Sequence, residues 1–146
     1  MKTLSFIRNI FLIGAALMLL ISCSREPQTG PVEIKFDRDT CAHCNMVISD
    51  RHYVVQVRGG PKKQIAKFDD FGCAMSWLKE QPWVNDSSTE IWVADFHNGK
   101  WLNARTAYYL GGKTTPMAYG YGATSEAMPG SISFDEARRQ VLTNDK

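Results

Sequence analysis

The chain has 146 residues, 17 Lys and Arg against 15 Asp and Glu, four cysteines, and 44% hydrophobic residues. That is the size of one small globular domain or two very small ones. Aromatic residues at 11% argue against disorder, and the one long apolar run, Ile10 to Ile21, is too short for a bilayer span of roughly 20 residues.

That run follows Met1, Lys2 and Arg8, which predicts a secretory signal over residues 1–22 that takes no part in the fold. It ends in Leu20-Ile21-Ser22-Cys23, which resembles the lipobox of bacterial lipoproteins and predicts lipidation of Cys23. Several acyl chains on one cysteine anchor stably, because each buried CH₂ contributes about 0.8 kcal/mol. Removing the signal takes away two bases and no acid, so the remaining chain is neutral and gives no support for nucleic-acid binding. Cys41, Cys44 and Cys73 are then left, an odd number for an extracytoplasmic protein, so at least one thiol is free or bound to something.

Residues 23–32 are polar and broken by Pro27, Gly30 and Pro31, as expected of an anchor and flexible linker. Tyr53 to Val57 and Gln64 to Phe68 read as strands joined by Gly59-Gly60-Pro61, a hairpin. Asp69 or Asp70 can cap the helix that follows, where Phe71, Ala74, Met75 and Leu78 recur at helical spacing until Pro82. Glu90 to Phe96 is the next strand, and Asn98-Gly99 turns the chain into Trp101-Leu102. Beyond it, Ala107 to Leu110 and Met117 to Tyr121 read as extended, Ser131 to Phe134 as a short strand and Asp135 to Leu142 as a terminal helix. The fold class is α+β, built on a β-β-α-β order.

Cys41-Ala42-His43-Cys44-Asn45-Met46 is the stretch richest in soft ligands. Thiolate with thioether favours Cu(I), whereas zinc takes thiolate, imidazole and carboxylate and seldom methionine, so Met46 tilts the metal toward copper. Cys44 and Met46 can chelate one ion from one side. Met117, behind Pro116 in a glycine-rich loop, is a candidate third donor, while Met75 on the helix reads as core. His43 is a further candidate and Cys73 a weaker one, its plain reading being a small buried hydrophobe. His52 and His97 read as solvated, and Asp69-Asp70 as caps, with no companion nucleophile to make a catalytic set. The competing readings of Cys41 and Cys44 are a structural disulfide and a thiol-disulfide oxidoreductase; against the latter, the pair precedes a strand and not a helix start.

The lipobox, the Cys41–Met46 loop, Phe68-Asp69-Asp70-Phe71-Gly72-Cys73, Trp92 to Phe96 leading to Trp101-Leu102-Asn103-Ala104, and Thr115-Pro116-Met117 together resemble the NosL family, accessory lipoproteins of nitrous oxide reductase. The resemblance implies a monomeric, outward-facing Cu(I) chaperone, a carrier and not an enzyme, of two tandem β-β-α-β units similar to a domain of organomercurial lyases. Residues 33–146 would form the copper domain, with a first unit over about 33–97 and a second over about 98–146. Thirteen residues between Met117 and Ser131 leave no room for a full helix, so the second unit is expected to be reduced. By motif position the implied ligands are Cys44, Met46 and Met117, with Cys41 and His43 as alternates. The implied partner is apo nitrous oxide reductase or its maturation machinery. The implied location is the cell envelope, on a membrane facing the periplasm or exterior. Ser24 lacks the acidic character that retains lipoproteins at an inner membrane, which points to the outer one.

Overall fold

The computed structural model describes residues 28–144, so the signal segment and Cys23 lie outside the described residues. The mixed α+β architecture expected from the sequence is the one observed. Strands β1 (Val55–Gly59) and β2 (Gln64–Phe68) form an antiparallel hairpin with Val55 opposite Phe68 and Gly59 opposite Gln64. Its turn uses positive φ at Gly60 (75°), which glycine adopts freely. Strand β3 (Glu90–Ala94) pairs with the other edge of β1, and β4 (Trp101–Asn103) pairs with β3, giving the antiparallel order β2-β1-β3-β4.

The central strand β1 is buried at every position, Gln56 and Arg58 included. Both polar side chains are satisfied by the backbone of the incoming chain. Gln56 accepts from Val32 N–H at 2.9 Å and donates to Val32 C=O at 2.7 Å, and Arg58 donates to Gly30 C=O at 2.9 Å. Gly30 N–H donates in turn to Glu90 Oε2 at 2.7 Å. Residues 30–32, expected to belong to a free linker, are therefore held along β1, because buried amide and guanidinium groups must find partners.

Helix α1 (Phe71–Leu78) begins at Asp70, whose carboxylate accepts from Gly72 N–H at 3.2 Å, and it packs on β1 and β2. All its residues except Trp77 are buried, Met75 completely. A short sheet of β5 (Tyr108–Leu110) and β6 (Gly122–Thr124) follows, then helix α2 (Phe134–Thr143), capped by Ser133 and packed on α1. The core joins the main sheet and its helix to the C-terminal elements: the Phe71 and Tyr109 rings meet at a tilt, 4.6 Å between centroids, and Phe134 meets Phe71 edge-on. Each such side chain contributes about 1.5–3 kcal/mol by leaving water.

Strand β4 extends the first sheet through the Asn98-Gly99 turn. Two local expectations change. Met117 to Tyr121 is a turn and not a strand: Ala118 has φ 59° and Gly120 φ 82°, and the strand starts at Gly122. Ser131 to Phe134 supplies only a bridge from Ile132 to Tyr109 before Ser133 starts the helix. No helix lies between Met117 and Ser131, as the short spacing required.

A candidate metal centre of three thiols and a carboxylate

Cys41 and Cys44 sit on a tight loop closed by a bridge between Thr40 and Val47. Cys41 N–H donates to Met46 C=O at 2.8 Å, Asn45 N–H to Cys41 C=O at 2.9 Å, and Asn45 takes φ 61°, a conformation asparagine tolerates. Ala42 N–H donates to Lys67 C=O at 2.9 Å and so fastens the loop to the end of β2. There the chain leaves the sheet through Asp69 and enters α1, whose first turn carries Cys73. Asp70 is still extended at the cap (φ −147°, ψ 149°), so Asp69 precedes the helix and meets Cys73, the third helical residue, at its N-terminal end.

The result is a cluster of Cys41, Cys44, Asp69 and Cys73 whose candidate ligand atoms all lie within 4.8 Å of one another. All three cysteines are free thiols. Cys41, Cys73 and Asp69 are buried, and Cys44 alone of the four reaches solvent. Cys44 Sγ donates to Asp69 Oδ2 at 3.5 Å, and Cys44 N–H points at Cys41 Sγ, also 3.5 Å away. A hydrogen bond from the Cys73 thiol, helped by the loop N–H groups, holds Cys41 down to about 6. Desolvation pushes Cys44 up to about 11, and Cys73, as the donor to Cys41 and buried, is raised strongly. One thiolate shared by three sulfurs is a ready nucleus for a thiophilic cation.

A third segment closes on the same end. Asp70, beside Asp69, accepts at Oδ2 from Thr115 Oγ1 at 2.6 Å and from Met117 N–H at 3.0 Å. Burial raises the Asp70 carboxyl above its ordinary range despite these bonds. The Tyr119 ring lies on Gly72 so closely that a Cβ there would fall 1.9 Å from it. Met117 is thus brought, half-buried and packed against the core, to the mouth of α1.

Of the residues singled out from the sequence, Cys41 and Cys44 enter the cluster directly. Met46 follows in the same loop with its side chain 55% exposed, beside an exposed Val47. His43 is exposed and stands outside the cluster. His52 and His97 are exposed, their rings bonded to Phe96 C=O and Asp95. Asp69, read from the sequence as a cap, and Cys73, read there as a weaker candidate, also fall in the cluster. The available signal was that both belong to the short Phe68–Cys73 stretch where the strand ends and the helix begins.

The fold and this cluster define a small α+β protein with a thiol-rich candidate metal site. The sequence pattern of the NosL family matches residues 31–136. The chain belongs to the NosL family. Among solved structures it is similar to the crystal structure of the copper chaperone NosL from Shewanella denitrificans, with a TM-score of 0.55 at 17% identity over 81% of this chain and 89% of that one. No curated protein matches the chain closely enough to add to this.

Proposed function

We propose that the protein is a lipid-anchored carrier of Cu(I) that serves assembly of the copper centre of nitrous oxide reductase. The observation that carries the reading is three free thiols converging within 4.8 Å behind a Cys-x-x-Cys-x-Met loop. Copper is cargo here, and sulfur donors select its reduced state. Cys44 is the accessible thiol and Met46 the exposed thioether, so an incoming ion meets these two first. Cys41 lies behind them, already inclined to the thiolate, and Met117 is held nearby by Asp70. Low-coordinate Cu(I) leaves a position open to an incoming ligand, and transfer to an acceptor proceeds by exchange of sulfur ligands one at a time. The chain performs no bond-making of its own in this scheme. Lipidation at Cys23 would place it on the envelope, facing the periplasm or exterior.

One observation favours a second reading. A Cys-x-x-Cys pair with one thiol near 6 is what a dithiol oxidoreductase uses. The low thiol is Cys41, however, which is 0% exposed, so a substrate disulfide has no approach to it. The carrier is the better fit.

The deciding experiment is an anaerobic Cu(I) titration of residues 24–146 against a chromophoric Cu(I) chelator, beside Met46→Ala and Cys44→Ser. One tight equivalent, lost in Cys44→Ser and weakened in Met46→Ala, is the expected result. Failure to compete with the chelator overturns it and brings the oxidoreductase forward, to be tested by insulin reduction.

A further inference from the structure

The copper cluster lies at one end of the main sheet, and the chain enters at the other. Arg58 faces Ile65 on one side and Glu90 on the other, and both Arg58 and Glu90 grip Gly30. Continuing toward the N-terminus, Gln28 reaches the β1–β2 turn, where it helps to line an open groove of about 730 Å³ with Gly60, Lys62, Lys63 and Trp83. Asp69 and the thiols lie past the far end of β2. The five residue steps from Gln64 to Asp69 span about 17 Å at strand rise. Cys23 precedes Gln28 by five residues, so the two Cα atoms are at most about 18 Å apart.

We propose that the turn end, with Lys62, Lys63 and Trp83, rests on the lipid surface that holds the Cys23 anchor, so that the thiol cluster points away from the bilayer. This rests on the lipid anchor proposed above and adds an orientation to it. The occupant is an anionic phospholipid surface and not a protein, for three reasons. Gln28, the first described residue and five positions after Cys23, lines this groove. Lys62 and Lys63 are exposed on a tight turn, and lysines beside a tryptophan suit a headgroup layer. Trp83 stands with one face on Gly59 and Gly60, both too close to it to carry a Cβ, and packs edge-on against Trp77. Of the two acids in the adjoining loop, Glu80 is exposed and is balanced by Lys79 beside it, and Asp86 accepts from Ser88 N–H at 2.8 Å. Clamping of Gly30 and Val32 by Arg58 and Gln56 fixes the chain to the sheet close to the anchor, so the tether is short.

The test uses the full lipoprotein, isotope-labelled, in nanodiscs of phosphatidylcholine with phosphatidylglycerol and a trace of nitroxide-headgroup lipid. Amide intensities are compared before and after ascorbate reduces the nitroxide. Intensities at residues 60–63 and 83–86 are expected to fall at least twofold, while those at 41–47 and 115–120 stay unchanged. In Lys62→Glu/Lys63→Glu the selective loss disappears though the protein still co-purifies with the discs. Broadening at 41–47, or none anywhere in disc-bound protein, overturns the orientation. A mass showing unmodified Cys23 and protein that leaves the discs overturns the anchor itself, and the orientation with it.

Discussion

The Thr115 hydroxyl donates to Asp70 Oδ2 at 2.6 Å, and this bond between residues 45 positions apart sets the Met117 loop on the first turn of α1. The same carboxylate caps the helix and receives Met117 N–H. Asp70→Ala leaves several buried donors without a partner at once, and about 3 kcal/mol of stability is expected to go with them. Urea unfolding measures that loss. Asp70→Asn keeps one acceptor oxygen and is expected to cost less, with Cu(I) affinity falling in proportion to how far Met117 is released.

Asp70 also gives the stability an unusual pH signature. Its folded carboxyl titrates above the unfolded one, chiefly through burial, so the folded state holds the proton more tightly. That contribution is fully present below the unfolded value of about 3.9 and is lost as pH rises through the folded one. Relative to Asp70→Asn, the native protein is therefore expected to lose stability as pH increases from about 4. Paired unfolding curves between pH 3.5 and 7 check the sign.

For the thiols, absorbance near 240 nm of the metal-free, reduced protein should show one thiolate forming with a midpoint near 6. Its main cause is the hydrogen bond from Cys73. Cys73→Ala removes the donor and raises the midpoint toward ordinary thiol values, whereas Cys73→Ser, which retains a hydroxyl, raises it less. The linkage follows: a depressed thiol stabilises the fold above its unfolded value, and the gain fades as pH falls to about 6.

Asp69 separates two metals. A carboxylate suits zinc and contributes little to Cu(I), which prefers the sulfurs. Asp69→Ala is expected to weaken Zn(II) at least tenfold and Cu(I) several-fold less, as read by competition with a chelator for each. Met46→Ala should do the reverse. Because Met46 is 55% exposed, its loss should leave stability within about 0.5 kcal/mol.

Gly72 has no room for a side chain, with the Tyr119 ring 1.9 Å from where a Cβ would stand. Gly72→Ala is expected to destabilise by about 1–3 kcal/mol and to displace residues 115–120, visible as faster amide exchange in that loop.

Much of this was legible from residue order alone. The β-branched and aromatic run ahead of β1, the breakers at Gly59-Gly60-Pro61 and the spacing of Phe71, Ala74, Met75 and Leu78 each signal a local element, and each is observed. What stayed hidden depends on contacts far apart in sequence. Gln56 and Arg58 look like the solvent side of a strand until the backbone of residues 30–32 covers them. Asp69 and Asp70 are alike as caps. Only the fold turns one toward the thiols and the other toward Thr115. Met117 to Tyr121 carries β-favouring tyrosines, yet the glycines and the bond of Gly120 N–H to Thr115 Oγ1 curl it into a turn.

The four side chains of the cluster come from two stretches that meet only when β2 and α1 are in place. An extended chain has no such site, so cargo binds the folded state and adds its binding energy to it. At a thousandfold excess over the dissociation constant that gain is about 4.1 kcal/mol. The metal-free protein is then expected to be the more fragile form, opening more often and offering its loops to proteases. Starvation for the metal would shorten the lifetime of the protein itself, and its abundance would follow supply without any regulator reading the ion.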